Sequence, residues 1–190
     1  MSAQPGTSSL AQLYDAVAAA SGGRGPSPVH LWTPAHCGEI DIRIARDGTW
    51  FYQGSPIGRA PLVRLFASVL RRDPDGFHLV TPVEKLKIRV EDAPFVAVGL
   101  EATNGVLRFA TNVGDVVEAG PEHPIRVETG AGGEPRPYLR VRAGLDALIA
   151  RPVFYDLVEL GQAHEAPEGA RLAVTSKGCW FDLGALEAGA

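Results

Sequence analysis

Apolar and polar positions change rhythm twice along this chain. Leu10, Leu13, Tyr14, Val17 and Ala18 recur at helical spacing, which predicts a helix over Leu10–Ala20 capped by Ser8 or Ser9. Ser21–Pro28 is rich in Gly, Pro and Ser and reads as a loop. Ile40–Ala45 and Thr49–Gln53 alternate around Arg46-Asp47-Gly48, which predicts a β-hairpin. Over Arg59–Arg72 the period returns to that of a helix. Leu62, Leu65, Phe66, Val69 and Leu70 form one stripe, and Pro61 suits the first turn. Asp73-Pro74-Asp75-Gly76 then stops the helix.

From Phe77 short alternating runs take over. Phe77–Thr81, Leu86–Val90, Phe95–Glu101, Val106–Thr111, Val116–Ala119, Ile125–Glu128 and Tyr138–Arg142 read as a seven-strand antiparallel meander that curls into a barrel or sandwich. Asn104-Gly105 is its strongest hairpin signal. Gly144–Leu160 reads as a helix kinked at Pro152. Leu172–Ser176 and Cys179–Leu183 make a second hairpin, and the tail 185–190 is expected to fray.

Segments 42–54 and 172–184 align without gaps, matching Gly48 to Gly178, Trp50 to Trp180, Phe51 to Phe181 and Gly54 to Gly184. The expectation is an α+β fold whose two halves share a hairpin–helix unit. The domain boundary is placed near Gly76–Pro82, giving an N-terminal α+β domain of 1–78 and a mainly β domain of 79–190.

Composition limits the classes of function. The chain has 190 residues, 45% hydrophobic and 21% charged, enough to bury a core. A net charge of −4 argues against a general nucleic-acid binder. No cationic run followed by an apolar core opens the sequence, and no stretch has the length of a membrane span. Cys37 and Cys179 are too few and too far apart for a disulfide framework. A cytoplasmic protein with reduced thiols is expected.

Candidate chemistry concentrates in residues 32–64. His36 and Cys37 are adjacent, so their side chains diverge and do not make a base–nucleophile pair; His78, His123 or His164 could serve Cys37 from a distance, but nothing selects one. His30, His36, Cys37, Glu39 and Asp41 are metal-ligand types, yet no recognised metal spacing joins them. Glu39 and Asp41 share a strand face and could meet one ligand, although a solvated strand edge explains them equally. Gly54-Ser55-Pro56-Ile57-Gly58-Arg59 precedes a helix N-terminus, where free N–H groups and the dipole favour an anion, although an ordinary turn accounts for the same residues. The aromatic pairs read as core before stacking platforms. No catalytic signature emerges.

The run Cys37-Gly-Glu-Ile-Asp-Ile-Arg-Ile-Ala-Arg-Asp-Gly-Thr-Trp-Phe-Tyr-Gln-Gly-Ser-Pro-Ile-Gly-Arg59 carries a resemblance. So do Leu79–Lys85, Val90–Phe95, Thr111–Asp115 and Arg151–Val158. Over about residues 10–185 the chain resembles the bacterial family named domain of unknown function 1285. The resemblance implies a duplicated core, a C-terminal half like a pleckstrin-homology barrel, a small nucleotide-like ligand at the interface of the halves, and a role in signalling.

The resulting expectation is a non-catalytic protein that binds a small anionic ligand, without cofactor or metal. Arg59, Arg64, Ser55 and the Gly54–Gly58 backbone would meet the phosphate. Trp50 or Trp32 would stack, and Asp41 or Asn112 would read polar edges. Arg43 also belongs to this set, and Thr81 and Lys85 would close the site. The alternatives are a protein-interaction module using the C-terminal barrel, and an enzyme acting on a small phosphorylated metabolite. A protein partner or homo-oligomer is compatible with either.

Overall fold

The computed structural model describes residues 9–21, 25–167 and 169–186. Among the described residues it is mainly β, with three α-helices, two curled six-stranded sheets and a three-stranded sheet. The chain divides into compact units of residues 1–92 and 93–190. The sequence boundary near 78–79 therefore falls too early. The first unit keeps two strands that local pattern assigned to the meander.

In the first unit, α1 (Leu10–Ala20) has a complete capping box: Gln12 N donates to Ser9 Oγ, and Ser9 N donates to the Gln12 side chain. Its sheet contains β1 (His36–Ile44), β2 (Trp50–Tyr52), β3 (Ser55–Pro56), β4 (Leu70–Asp73), β5 (Gly76–Val80) and β6 (Glu84–Val90), ordered β3-β2-β1-β6-β5-β4. Lys85, expected to close the site, meets segment 37–59 through parallel pairing of β1 with β6, with Cys37 opposite Lys85. It is a ladder inside one sheet, not a junction between domains.

The helix α2 (Ala60–Ser68) is shorter than predicted. Val69 caps it, and Leu70 enters β4 opposite Leu79. Leu70 satisfies the helical stripe and a buried strand position equally well, so tertiary pairing decides its state. Ile40, Ile42, Ile44, Trp50, Leu79 and Leu86 lie on the buried side of the sheet, and Leu13, Val17 and Phe66 of the helices join the core.

The second unit contains β7 (Phe95–Thr103), β8 (Val106–Thr111), β9 (Val116–Glu118), β10 (Ile125–Thr129), β11 (Pro135–Arg142) and β12 (Leu145–Ile149), ordered β10-β11-β12-β7-β8-β9. The segment predicted as a kinked helix is instead β12 followed by α3 (Arg151–Glu159). Leu145, Ala147 and Ile149 alternate inward, and Pro152 sits in the first turn of α3, where it breaks nothing. The third sheet is β13 (Gln162–Ala166), β14 (Gly169–Ser176) and β15 (Cys179–Ala185). Ser176 Oγ ties it to the larger sheet, accepting from Leu107 N at 2.9 Å and donating to Ala119 O at 2.7 Å.

Asn104-Gly105 forms its predicted hairpin, with both residues at positive φ. Both repeated segments are hairpins, but they are not equivalent. The first pairs Ile44 with Trp50 across a turn of residues 45–49. The second pairs Ser176 with Cys179 across Lys177-Gly178, and Val174 faces Phe181. The aligned positions are thus offset by one residue, which reverses the aromatic pair. Trp50 and Phe181 are buried, whereas Trp180 is exposed.

The segment 187–190, where fraying was expected, lies outside the described residues. Among the described residues no helix is long and apolar enough to cross a membrane.

Candidate functional site

Two places in the first unit combine exposed or unsatisfied chemistry with a built framework. The first is a groove of about 810 Å³ along α1 and α2. Leu10, Tyr14, Leu62 and Leu65 give it apolar walls, with Asp15 and Arg59 as its charged groups. Arg59 occupies the N-cap of α2, its side chain is exposed, and it has no ion pair among the described residues. The start of α2 thus puts a guanidinium and the positive end of a helix in the lining of an apolar groove.

The second is a polar cluster on the opposite side of the sheet from the apolar core. Cross-strand register aligns Glu39, Lys87, His78 and Arg71 in one row, and Cys37, Lys85 and Val80 in the next. Arg71 organises the cluster. Its Nε and Nη2 donate to Asp73 at 2.8 and 2.9 Å, and its Nη1 donates to the carbonyls of Val29 and Trp32, both at 2.9 Å. Those carbonyls bind the turn Val29–Leu31 and its cap to β4. Lys85 Nζ donates to Asp73 Oδ2 at 3.0 Å. His78 lies within this framework, only 2% exposed, and its Nδ1 has no hydrogen-bond partner among the described residues. Asp73 Oδ2 is 3.7 Å from Nδ1, and Asp75 Oδ2 is 3.3 Å from Nε2.

Burial pushes the Asp73 carboxyl up, but the hydrogen bonds from Arg71 and Lys85 outweigh it and hold the group below its ordinary 3.8. Burial, reinforced by the Lys85 ammonium, holds the His78 imidazole below its ordinary 6.5 against the pull of Asp75 and Asp73. The bond to Asp73 keeps Lys85 above its ordinary 10.5. The cluster therefore holds a neutral imidazole between charged groups.

A pH prediction follows from these directions. Below 6.5 the unfolded chain protonates its histidine while folded His78 stays neutral, so stability declines as pH falls until the folded value is reached. Asp73 adds a second decline as pH falls below 3.8 and through its folded value. Urea titrations between pH 8 and 3 should show both. His78→Gln should abolish the first decline; its persistence in that variant would assign it to another group.

The residues predicted to form one site are dispersed. Arg59 and Arg64 are exposed on α2, but only Arg59 lines the groove. Trp50 is core, so its ring faces are covered by protein. Trp32 is half-buried and contributes its carbonyl to Arg71. Asp41 is exposed and lies 3.5 Å from Arg89. Arg43 pairs with Glu91 and stacks over Phe51 at 4.2 Å from its centroid. Thr81 is fully buried, its Oγ1 accepting from Glu84 N at 3.2 Å. Lys85 belongs to the polar cluster. Asn112 lies in the second unit and accepts from Val96 N at 2.9 Å. Ser55 is exposed at the start of β3. It pairs with Tyr52 in a tight hairpin through Gln53-Gly54, and Ile57 N is spent on Trp50 O.

Sequence reading did not select His78 from among the distant histidines, and it missed Asp75. The only local signal was an Asp-Pro-Asp-Gly turn two residues before a histidine, which is ordinary hairpin chemistry.

The family model described as Domain of unknown function (DUF1285), N-terminal domain, matches residues 27–93, and Protein of unknown function (DUF1285), C-terminal domain, matches residues 94–183. The chain belongs to the DUF1285 family. The two family domains meet where the compact units divide. A DUF1285 family protein from Silicibacter pomeroyi DSS-3, solved by crystallography at 2.50 Å, is 52% identical with a TM-score of 0.83, over 92% of this chain and 96% of that one. A DUF1285 family protein from Shewanella baltica OS155, solved at 1.40 Å, is 29% identical with a TM-score of 0.51, over 62% of this chain and 90% of that one. No curated protein matches the chain.

Proposed function

We propose that this DUF1285 protein is a non-catalytic binder of a small amphipathic anion, held in the groove along α1 and α2. One observation carries the reading: an exposed Arg59, without an ion pair among the described residues, stands at the N-terminus of α2 in the lining of an apolar groove. The apolar walls suit a flat or aliphatic body, and Arg59 suits its phosphate or carboxylate. A nucleotide-like ligand fits this chemistry, with its base beside the exposed ring of Tyr14. A signalling role and a cytoplasmic location accord with a binding protein whose two cysteines are unpaired. The curled sheet of the second unit keeps a pleckstrin-homology-like barrel as the finer description of that unit.

A thermal-shift screen over nucleotides, phosphorylated metabolites and acyl anions supplies the ligand. Arg59→Ala is then expected to weaken its binding by about 1.5–3 kcal/mol, the scale of a charge-assisted hydrogen bond. Its melting temperature should stay near that of the parent chain, because an exposed unpaired Arg contributes little to stability. Tyr14→Ala should also weaken binding. A ligand whose affinity survives both changes binds elsewhere, and the reading fails.

A further inference from the structure

We propose that His78 Nδ1 and the Asp73 carboxylate form a binding site for a divalent transition-metal ion of the zinc class, with Asp75 orienting the imidazole and Lys85 standing in the cation's place when the metal is absent. The site shares no residue with the α1–α2 groove.

The decisive observation is the unsatisfied nitrogen. His78 is 2% exposed, and its Nδ1 has no hydrogen-bond partner among the described residues. Burying such an atom without a partner is costly, so it calls for an explanation. Nε2 faces Asp75 Oδ2 at 3.3 Å, which favours the tautomer carrying its proton on Nε2. Nδ1 then presents a lone pair to Asp73 Oδ2 at 3.7 Å. Two electron-rich atoms facing one another in a buried place are stabilised by a cation between them.

The spacing suits such an ion. Zinc–nitrogen and zinc–oxygen bonds of about 2.0–2.2 Å place tetrahedral ligands roughly 3.3–3.5 Å apart, a few tenths of an ångström from the observed separation. Ligand atoms of Asp73, Asp75 and His78 lie within 4.8 Å of one another. A carboxylate on the far nitrogen is the usual partner of a metal-bound histidine, because it fixes the tautomer and ring orientation. An imidazole donor selects zinc-class ions over magnesium or calcium, which prefer all-oxygen sites.

Lys85 supplies the other half of the argument. Its Nζ lies 3.0 Å from Asp73 Oδ2. Arg71 also holds Asp73, but its guanidinium is fixed by two backbone carbonyls. The ammonium is a point charge on a flexible stem and can leave. Binding would replace one positive charge by two on the same carboxylate, with water completing the coordination.

The test uses the full chain and Co2+ as a spectroscopic probe, with Zn2+ as competitor. Cys37→Ser and His36→Ala together provide the background, since both residues are exposed potential ligands on β1. One Co2+ per chain should bind, with visible bands displaced by Zn2+. Asp75→Asn should weaken binding roughly 10- to 100-fold, the usual effect of losing a partner of a metal-bound histidine. Asp73→Asn should abolish binding. Lys85→Met should tighten binding, an effect that a purely structural ion pair does not produce. If Asp73→Asn does not fold, tightening by Lys85→Met decides the question. Loss of binding in the background variant would assign the metal to the exposed residues and overturn the proposal. So would absence of Co2+ and Zn2+ binding in a folded Lys85→Met protein.

Discussion

Trp50→Ala is expected to cost about 3–5 kcal/mol of stability, the range for deleting a large buried aromatic side chain. The aligned change Trp180→Ala is expected to cost less than about 1 kcal/mol, as for a surface substitution. The two tryptophans occupy matching places in the sequence, yet Trp50 is 1% exposed and Trp180 is 52% exposed. Trp180 stacks on His164 with centroids 5.1 Å apart, and loses little when truncated. Trp50 also has a buried indole N–H without a partner among the described residues. Trp50→Phe should therefore recover most of the loss, since it refills much of the volume and removes the unpaired donor. Equilibrium urea unfolding of the three variants measures these differences. Equal costs for the two alanine changes would contradict the offset in hairpin register.

Arg71→Ala is expected to cost about 2–4 kcal/mol, between the loss of a hydrogen-bonded charge and the breaking of a buried pair. The guanidinium makes four hydrogen bonds, two to Asp73 and one each to the carbonyls of Val29 and Trp32. Its side chain remains 21% exposed, which argues against the upper end of the range for a fully buried pair. Arg71→Lys should restore less than half of the loss, because a point charge cannot reproduce the planar fork. Hydrogen exchange should also accelerate at Val29–Trp32, which Arg71 ties to β4. Unchanged exchange there with a full loss of stability would place the effect in Asp73 alone.

Much of the local structure was legible in the residues. Ser9 and Gln12 form a capping box whatever lies around them. Asn104-Gly105 tolerates the positive φ of a tight hairpin, so its turn was readable without knowing the sheet. Pro152 was misread because a helical start and a helical kink use the same residue, and the strand before it supplies the distinction.

The candidate site was less legible. Arg59 was found because a helix N-terminus and its charge are local features. Its groove depends on α1, which lies far away in sequence. His78 was not selected from the sequence, since what sets it apart is its burial and the nearness of Asp73 and Asp75 in the folded chain. Thr81 has the composition of a ligand contact, but its hydroxyl serves the turn to Glu84.

The sequence by itself determined the capped first helix, the alternating strands, the tight turns and the family. Each depends on interactions within a few residues, or on the run of residues as a whole. Only the tertiary structure decided that β1 lies parallel to β6, that Trp50 faces inward while Trp180 faces out, and that His78 is buried with an unpartnered nitrogen. Alternation with a period of two shows that a strand has two faces, but the partner strand decides its neighbours, its register and which face is covered.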